Sequence, residues 1–578
     1  MSATPQTQNR PPARPKIEKD DILGIECRNV IYCGKPSSDR PDIHLVKEII
    51  HTKSQGLVPY MRFIKDYKRP YWITKEAFRN HKQKKEWEDL HKLTKYESLQ
   101  SDLTHSIMHS LNQFSQNPRL RTVCRSPYVY GADITSTSLI KHEYQRRFTK
   151  TGIDATAYNL AVLDIETSMQ DETILMCTLS YKTRIVTAVR KDFVAGYTNV
   201  PERLNILMEQ HLGETMKERG ATWELVLVDN PEDCVITCMN RAHEWKPDFI
   251  EIWNIDFEMT KFLALHNAGR LNLADVMSDP CVPKDYRFFE YRKGMTQRKK
   301  ANGEMDPIKP ADQWHTVECP ASFVFLDGMQ IYRKVRQGDA MEQSYALKAI
   351  LDKELGSSKL NPVPESEAYG DGAEWHEYMQ DHHPLEYVIY NVGDCIRPEQ
   401  LDEETQDFAI AVPVYSGVSD FQVFDSQPRR KVNELHFEFL EDNLVIGTTS
   451  DKMTDEIDEM TYDLKNWIIT LPAHSVANNG LCLLEDAPLL RTSIRVHVAD
   501  LDVSSSYPNN GAVLNISKHT TKAEFIRVDG IDEYTCRMQG LNLSGGPTNA
   551  SEFCTTMLGL PNKLTLLEAY RNKRRSIA

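Results

Sequence analysis

Hydrophobic positions follow different rhythms in successive parts of the chain. Between residues 22 and about 155, short apolar runs such as DILGIECRNVIYCG and YMRFIKDY are set in polar text. Among them KEAFRNHKQKKEWEDLHKLTKYESLQSDL is dense in charge and reads as helical. Between 156 and about 400, compact apolar runs (NLAVLDIE, FIEIWN, SFVFLDG) alternate with amphipathic stretches, which predicts an α/β arrangement. Residues 354–385 are polar and rich in Pro and Gly, a loop with a short helix. From 400 to 490 the pattern turns mostly helical, in PRRKVNELHFEFLEDN and DEIDEMTYDLKNWIITL. Alternating Ile494, Val496 and Val498 then predict a strand. No internal repeat is visible.

The first residues, MSATPQTQNRPPARPKIEKDD, contain no apolar run and are expected to form a disordered tail to about Asp21 rather than a secretory signal. At roughly 150 residues per domain, 578 residues suggest about four domains. No stretch approaches the roughly 20 apolar residues of a membrane span, so no membrane association is expected. The formal net charge of −14 argues against coating nucleic acid through bulk charge. It leaves room for a nuclease or polymerase, whose site acids raise the acidic count. Basic clusters at Arg292–Lys300, Arg429–Lys431 and Arg571–Arg575 read first as solvated surface. The 12 cysteines include no C-x-x-C pair, and no paired His follows at zinc-ligand spacing, so they read as reduced thiols of a cytoplasmic protein.

Three short segments carry candidate chemistry. In Leu160–Thr167, apolar residues lead into Asp164 and Glu166, which share one face if the segment is a strand. Apolar positions on both faces mark that strand as buried and central, so its two acids are held close, a cost that a divalent cation relieves. The second segment is Trp253–Asn254–Ile255–Asp256–Phe257–Glu258, directly after the strand-like Phe249–Ile252. In the third, Tyr390–Asn391–Val392–Gly393–Asp394, a helix would put Tyr390 and Asp394 on one face.

In this order the segments resemble the Exo I, Exo II and Exo III motifs of the DEDDy 3′→5′ exonucleases, the proofreading module of family B DNA polymerases. Phe325–Gly328, Tyr332, Ser344–Leu347 and Leu355–Gly356 resemble that family's connecting segments. The resemblance implies an RNase H-like exonuclease domain in an α/β (α+β) chain. It implies two Mg²⁺ (or Mn²⁺) ions held by Asp164, Glu166, Glu258 and Asp394. Tyr390 would orient the attacking water, and Asn254 and Phe257 would contact a frayed single-stranded 3′ end. The family usually has Asp where this chain has Glu258; Asp256 competes for the role, and Glu258 is preferred because it directly follows Phe257.

Downstream, Asp502–Val503–Ser504–Ser505–Ser506–Tyr507–Pro508 resembles motif A of the family B palm. That resemblance implies metal binding by the Asp502 carboxylate and Val503 carbonyl, triphosphate contacts at Ser505 and Ser506, and Tyr507 under the incoming sugar. Asp500, on the same strand face, is the alternative acid. Motif B (K-x-x-x-N-S-x-Y-G) and motif C are absent; Tyr369–Gly372 only looks like motif C and precedes motif A.

The expected organisation follows: tail 1–21, N-terminal domain 22–155, exonuclease domain 156–400, helical connection 401–485, partial palm 486–559, and the start of a fingers helix at 560–578. The chain is expected to be the N-terminal part of a split, phage-type DNA polymerase, working in a host cytoplasm on primer-template DNA. It would use dNTPs only with a second subunit that supplies fingers, thumb and the rest of the palm. A free-standing exonuclease with a vestigial palm and an inactive replication scaffold stay open as alternatives.

Overall fold

The computed structural model describes residues 17–448, apart from 82–84, 86, 114–117, 300–304, 339–340, 371, 413, 416–417 and 420–426, and beyond them only four short strands. Apart from residues 124–126 and 299–304, the described part up to Thr448 belongs to one compact unit. The four later strands belong to a second unit. The chain is a mixed α/β protein with several sheets.

Three long strands come first: β1 (Ile22–Gly34), β2 (Ile43–Thr52) and β3 (Gly56–Lys65), paired antiparallel in that order. Two more, β4 (Arg69–Thr74) and β5 (Leu93–Ser98), pair antiparallel with Tyr71 opposite Tyr96. The helix expected over the charged stretch 75–103 is therefore not formed. That stretch holds two 3₁₀ turns, the strand Trp87–Asp89 and β5 among its described residues. Pairing with β4 buries Leu93 and Ser98 and stacks Tyr96 on Tyr71, and that tertiary gain overrides the helical propensity of Lys and Glu. Helix α1 (Ser136–Phe148), started by a hydrogen bond from the Ser138 amide to the Thr135 hydroxyl, packs on β1.

A six-stranded sheet follows. Its strands are β6 (Leu160–Thr167), β7 (Ile174–Tyr181), β8 (Arg184–Arg190), β9 (Thr222–Val228), β10 (Phe249–Ile252) and β11 (Val324–Asp327). Their spatial order is β9-β8-β7-β6-β10-β11. The meander β6-β7-β8 is antiparallel; β9 joins β8, β10 joins β6 and β11 joins β10 in parallel. The parallel additions need crossovers, and helices supply them: α2 (Val200–Arg219), α3 (Pro231–Trp245) and α4 (Ile255–Asn267). Beyond β11 come α5 (Gly328–Val335), α6 (Leu347–Leu355), α7 (Ala373–His382) and the long α8 (Pro384–Thr405).

Side-chain alternation divides β6 between two cores. Ala161, Leu163 and Ile165 pack with α3 and α4 on one face. The other face of the sheet is covered by α2, α7 and α8, around Met176, Leu204, Met379 and Val388. Positions 164 and 166 thus fall on the α8 side, so two acids end a strand that is central to the sheet. The expected helix at 428–443 is present as α9 (Gln427–Glu441). The second expected helix, DEIDEMTYDLKNWIITL, contains strands instead, Thr461–Asp463 and Trp467–Thr470. The β-branched and aromatic run Trp467–Thr470 pairs antiparallel with Glu524–Arg527, as its composition favours.

Buried charge sews the first sheet to the second. Lys47 on β2 reaches Asp248 Oδ1 at 2.7 Å and the Lys246 and Pro247 carbonyls at 2.8 and 2.5 Å. Arg28 on β1 pairs with Glu26 at 2.9 Å and donates to the Thr156 carbonyl at 2.6 Å. Burial pulls the Lys47 ammonium down to about 8 against the opposing pull of Asp248. Lys47→Met leaves a buried Asp248 without its main partner. Denaturant unfolding of that variant should show a loss of about 3–5 kcal/mol, whereas a loss under about 1 kcal/mol would mean that Arg28 alone suffices.

Glu251 on β10 is the opposite case. It is buried, its Oε2 has no hydrogen-bond partner, and burial followed by Asp402 and Glu399 holds its carboxyl well above the usual range. A Cβ on Gly328 would lie 2.1 Å from its Oε1, so glycine is the residue that fits there. Because its folded-state pKa is raised, Glu251 carries no penalty below about pH 4 and an increasing one as pH rises above that, at most about 1.4 kcal/mol per pH unit. Glu251→Gln should therefore gain stability over the parent more at pH 8 than at pH 5 in urea unfolding. An equal gain at both pH values would show that the charged form is not what costs.

Candidate metal centre

The site is assembled where β6 ends. Asp164 and Glu166, two residues apart on the strand, are brought together with Asp394 from α8 so that one ligand atom from each lies within 4.8 Å of the others. Tyr390 and Asp394 are a helical turn apart on α8, and both meet the ammonium of Lys359, Asp394 Oδ2 at 2.5 Å and the Tyr390 hydroxyl at 3.0 Å. Pro398 lies inside α8 and cannot donate to the Asp394 carbonyl, so the helix bond at that position is missing.

Glu258 comes from the first turn of α4, where the helix dipole favours an acid. It is 5 % exposed, its Oε2 has no hydrogen-bond partner, and Asp164 is the charge that acts on it most strongly. Asp256 is engaged elsewhere. Its oxygens accept from the Tyr291 hydroxyl at 2.7 Å and from Lys293 at 2.5 Å. Burial raises the Asp256 carboxyl, and the bonds from Lys293 and Tyr291 outweigh it and leave it low. Asn254 is exposed at the start of α4 without a capping bond, and Phe257 is 42 % exposed with Lys261 over its ring at 5.4 Å. Asp500, Asp502, Val503, Ser505, Ser506 and Tyr507, with the whole motif A segment, lie outside the described residues.

Several residues around the acids are absent from the sequence reading. Asn391 donates to Asp164 Oδ2 at 2.6 Å, and its own carbonyl accepts from the Thr178 hydroxyl on β7. The Tyr387 hydroxyl donates to Glu166 Oε2, and His376 Nδ1 is 3.7 Å from the same oxygen. Tyr387 and Asn391 repeat, one stripe over, the helical spacing of Tyr390 and Asp394, and that repeat is the signal that could have found them. Lys359 sits in the polar segment before α7, where no periodicity marks it.

Electrostatically the cluster is under strain. Burial, then the charge of Asp394, pushes the Asp164 carboxyl up to about 8. Burial, then Asp164, holds Glu166 and Glu258 well above the usual range. Burial and Asp394 likewise keep the Tyr390 hydroxyl protonated. Oxygen-only donors of this kind, with Asp394 Oδ1 and Glu258 Oε2 buried and unpartnered, are what a hard divalent cation takes. The acids stand apart from a cleft of about 640 Å³ lined by Tyr158, Lys182, Arg219 and Glu399, which opens where β6 begins.

Asp327 caps α5 by accepting from the Gln330 amide at 3.0 Å, and the Trp253 indole donates to the Tyr345 carbonyl at 3.1 Å, which ties the connecting segments to the start of α4. In the basic cluster, Arg292, Lys293 and Arg298 pair with Glu318, Asp256 and Asp306. None of the nine described cysteines forms a disulfide, and among the described residues no helix is long and apolar enough to cross a membrane. No protein-family model and no curated protein matches the chain.

The raised carboxyls predict a pH dependence. A group whose folded pKa lies above its unfolded value near 4 costs nothing at low pH and progressively more up to its folded value, about 8 for Asp164. In a chelator, the protein should lose stability between pH 5 and pH 8, and Asp164→Asn should flatten that loss by up to about 1.4 kcal/mol per pH unit. Unfolding midpoints that fall in parallel for parent and variant would remove Asp164 as a source of the strain.

Proposed function

We propose that this chain is a 3′→5′ exonuclease of the DEDDy type and the N-terminal part of a family B DNA polymerase. The observation that carries the reading is the convergence of Asp164 and Glu166 with Asp394, far from them in sequence, and with Glu258 within reach of the charge of Asp164. The strand order supports an RNase H-like sheet: an antiparallel meander whose first strand is flanked by a parallel one and ends in acids.

Asp164, Glu166, Glu258 and Asp394 would hold two Mg²⁺ or Mn²⁺ ions. When bound, such a pair supplies an activated water and charge stabilisation for the departing 3′ oxygen. The chain's own groups do the positioning. Asn391 and Tyr387 fix the carboxylates of Asp164 and Glu166, and the protonated Tyr390 hydroxyl can orient a water beside Asp394. Exposed Asn254 and Phe257, with Lys261 next to the ring, offer a single-stranded end a stacking face and a cation.

The polymerase half of the proposal rests on the sequence of Asp502–Pro508. Asp502 and the Val503 carbonyl would bind the synthesis metals, Ser505 and Ser506 the triphosphate, and Tyr507 the sugar. Motif B and motif C do not occur in these residues, so synthesis is proposed only where those motifs are also supplied.

The test is direct. Purified chain with Mg²⁺ should shorten single-stranded DNA from its 3′ end, and Asp164→Ala should slow this about a hundred- to a thousand-fold. Asp502→Ala should leave the nuclease rate as it is and abolish synthesis wherever motifs B and C are supplied. Degradation that proceeds unchanged in Asp164→Ala would end the exonuclease assignment.

A further inference from the structure

The following inference rests on reading the acidic cluster as a cation site. The cluster already contains one cation of its own. Lys359 Nζ lies 2.5 Å from Asp394 Oδ2 and donates to the Tyr390 hydroxyl, and its charge also acts on Asp164 and Glu166. Asp394 is therefore used unequally: Oδ2 is filled by the ammonium, whereas Oδ1 is buried without a hydrogen-bond partner. Glu258 Oε2 is the other unpartnered oxygen.

An ammonium and a divalent ion cannot share Asp394 Oδ2, because at contact distance their repulsion in a poorly hydrated site is several-fold larger than in water. The unpartnered oxygens, in contrast, are open to an ion while Lys359 stays in place. Lysine suits a displaceable role, since its compact charge rides on a flexible four-carbon stem. The Lys359 side chain is one-quarter exposed, which gives it a way out.

We propose that Lys359 is a built-in counter-ion occupying one of the two cation positions. The first divalent ion then enters at an unpartnered oxygen, and the second has to displace the Lys359 ammonium from Asp394. The arrangement keeps the acids assembled when no ion is bound and makes the two ion affinities unequal.

Mn²⁺ binding to the full chain, followed by electron paramagnetic resonance, tests this without reference to activity. The wild type should bind one Mn²⁺ tightly and a second weakly. Lys359→Met should tighten the weak position by at least about tenfold, and Lys359→Arg, which keeps the charge, should not. In chelator, Lys359→Met should melt below the wild type, and saturating Mn²⁺ should close the gap. A Lys359→Met chain that binds both ions as the wild type does, or more weakly, overturns the proposal. Should that variant not fold, the wild type carries the test: amine labelling of Lys359, read by mass spectrometry, should rise at saturating Mn²⁺, and unchanged labelling overturns the proposal. If wild type and Asp164→Ala bind Mn²⁺ alike, the cation-site reading itself fails, an outcome distinct from the others.

Discussion

Like charge held in a place nearly closed to water is the constraint around which the described unit is organised. One ligand atom each of Asp164, Glu166 and Asp394 lies within 4.8 Å of the others, and Glu258 feels the charge of Asp164. Carboxylates so placed repel one another, and burial deprives them of the water that would screen the repulsion. Each neighbouring side chain offsets some of it. Asn391 and Tyr387 donate to the acids, and Lys359 brings a positive charge.

Such a cluster needs a stiff frame. It sits on the central pair of the sheet, where β6 is flanked by β7 and β10, and on α8, which packs along β6 and β7. Asn391 joins the two, bonded to Asp164 on β6 and to Thr178 on β7. Behind this frame, the Lys47–Asp248 pair fastens the first sheet to the turn that leads into β10 and so to the helix that presents Glu258.

The chain buries acid in a second place, around Glu251, with a different consequence. Glu251 is shut in between β10 and α5, with Asp402, Glu399 and Asp327 around it. Asp402 is satisfied by the Tyr158 hydroxyl at 2.5 Å and the Phe408 amide at 3.0 Å, and Asp327 by its own helix. These acids are absorbed by packing and capping. The Asp164 cluster instead gathers three acids within 4.8 Å of one another beside the Lys359 ammonium, the arrangement that could hold a cation.

Local sequence was enough for what depends on short range. Apolar positions on both faces of Leu160–Leu163 marked a central strand, and spacings of two and four residues placed Asp164 with Glu166 and Tyr390 with Asp394, because strand and helix geometry fix those relations locally. It misjudged the charged stretch before β5 and the stretch holding Trp467–Thr470, where pairing with distant strands outweighs local propensity. The fold picked which acid of Asp256–Glu258 feels the charge of Asp164, since that depends on Tyr291 and Lys293 claiming the other. It alone brought Lys359 to Asp394, because a lysine in a polar loop carries no periodic signal, and its meaning comes from the charge that the fold sets beside it.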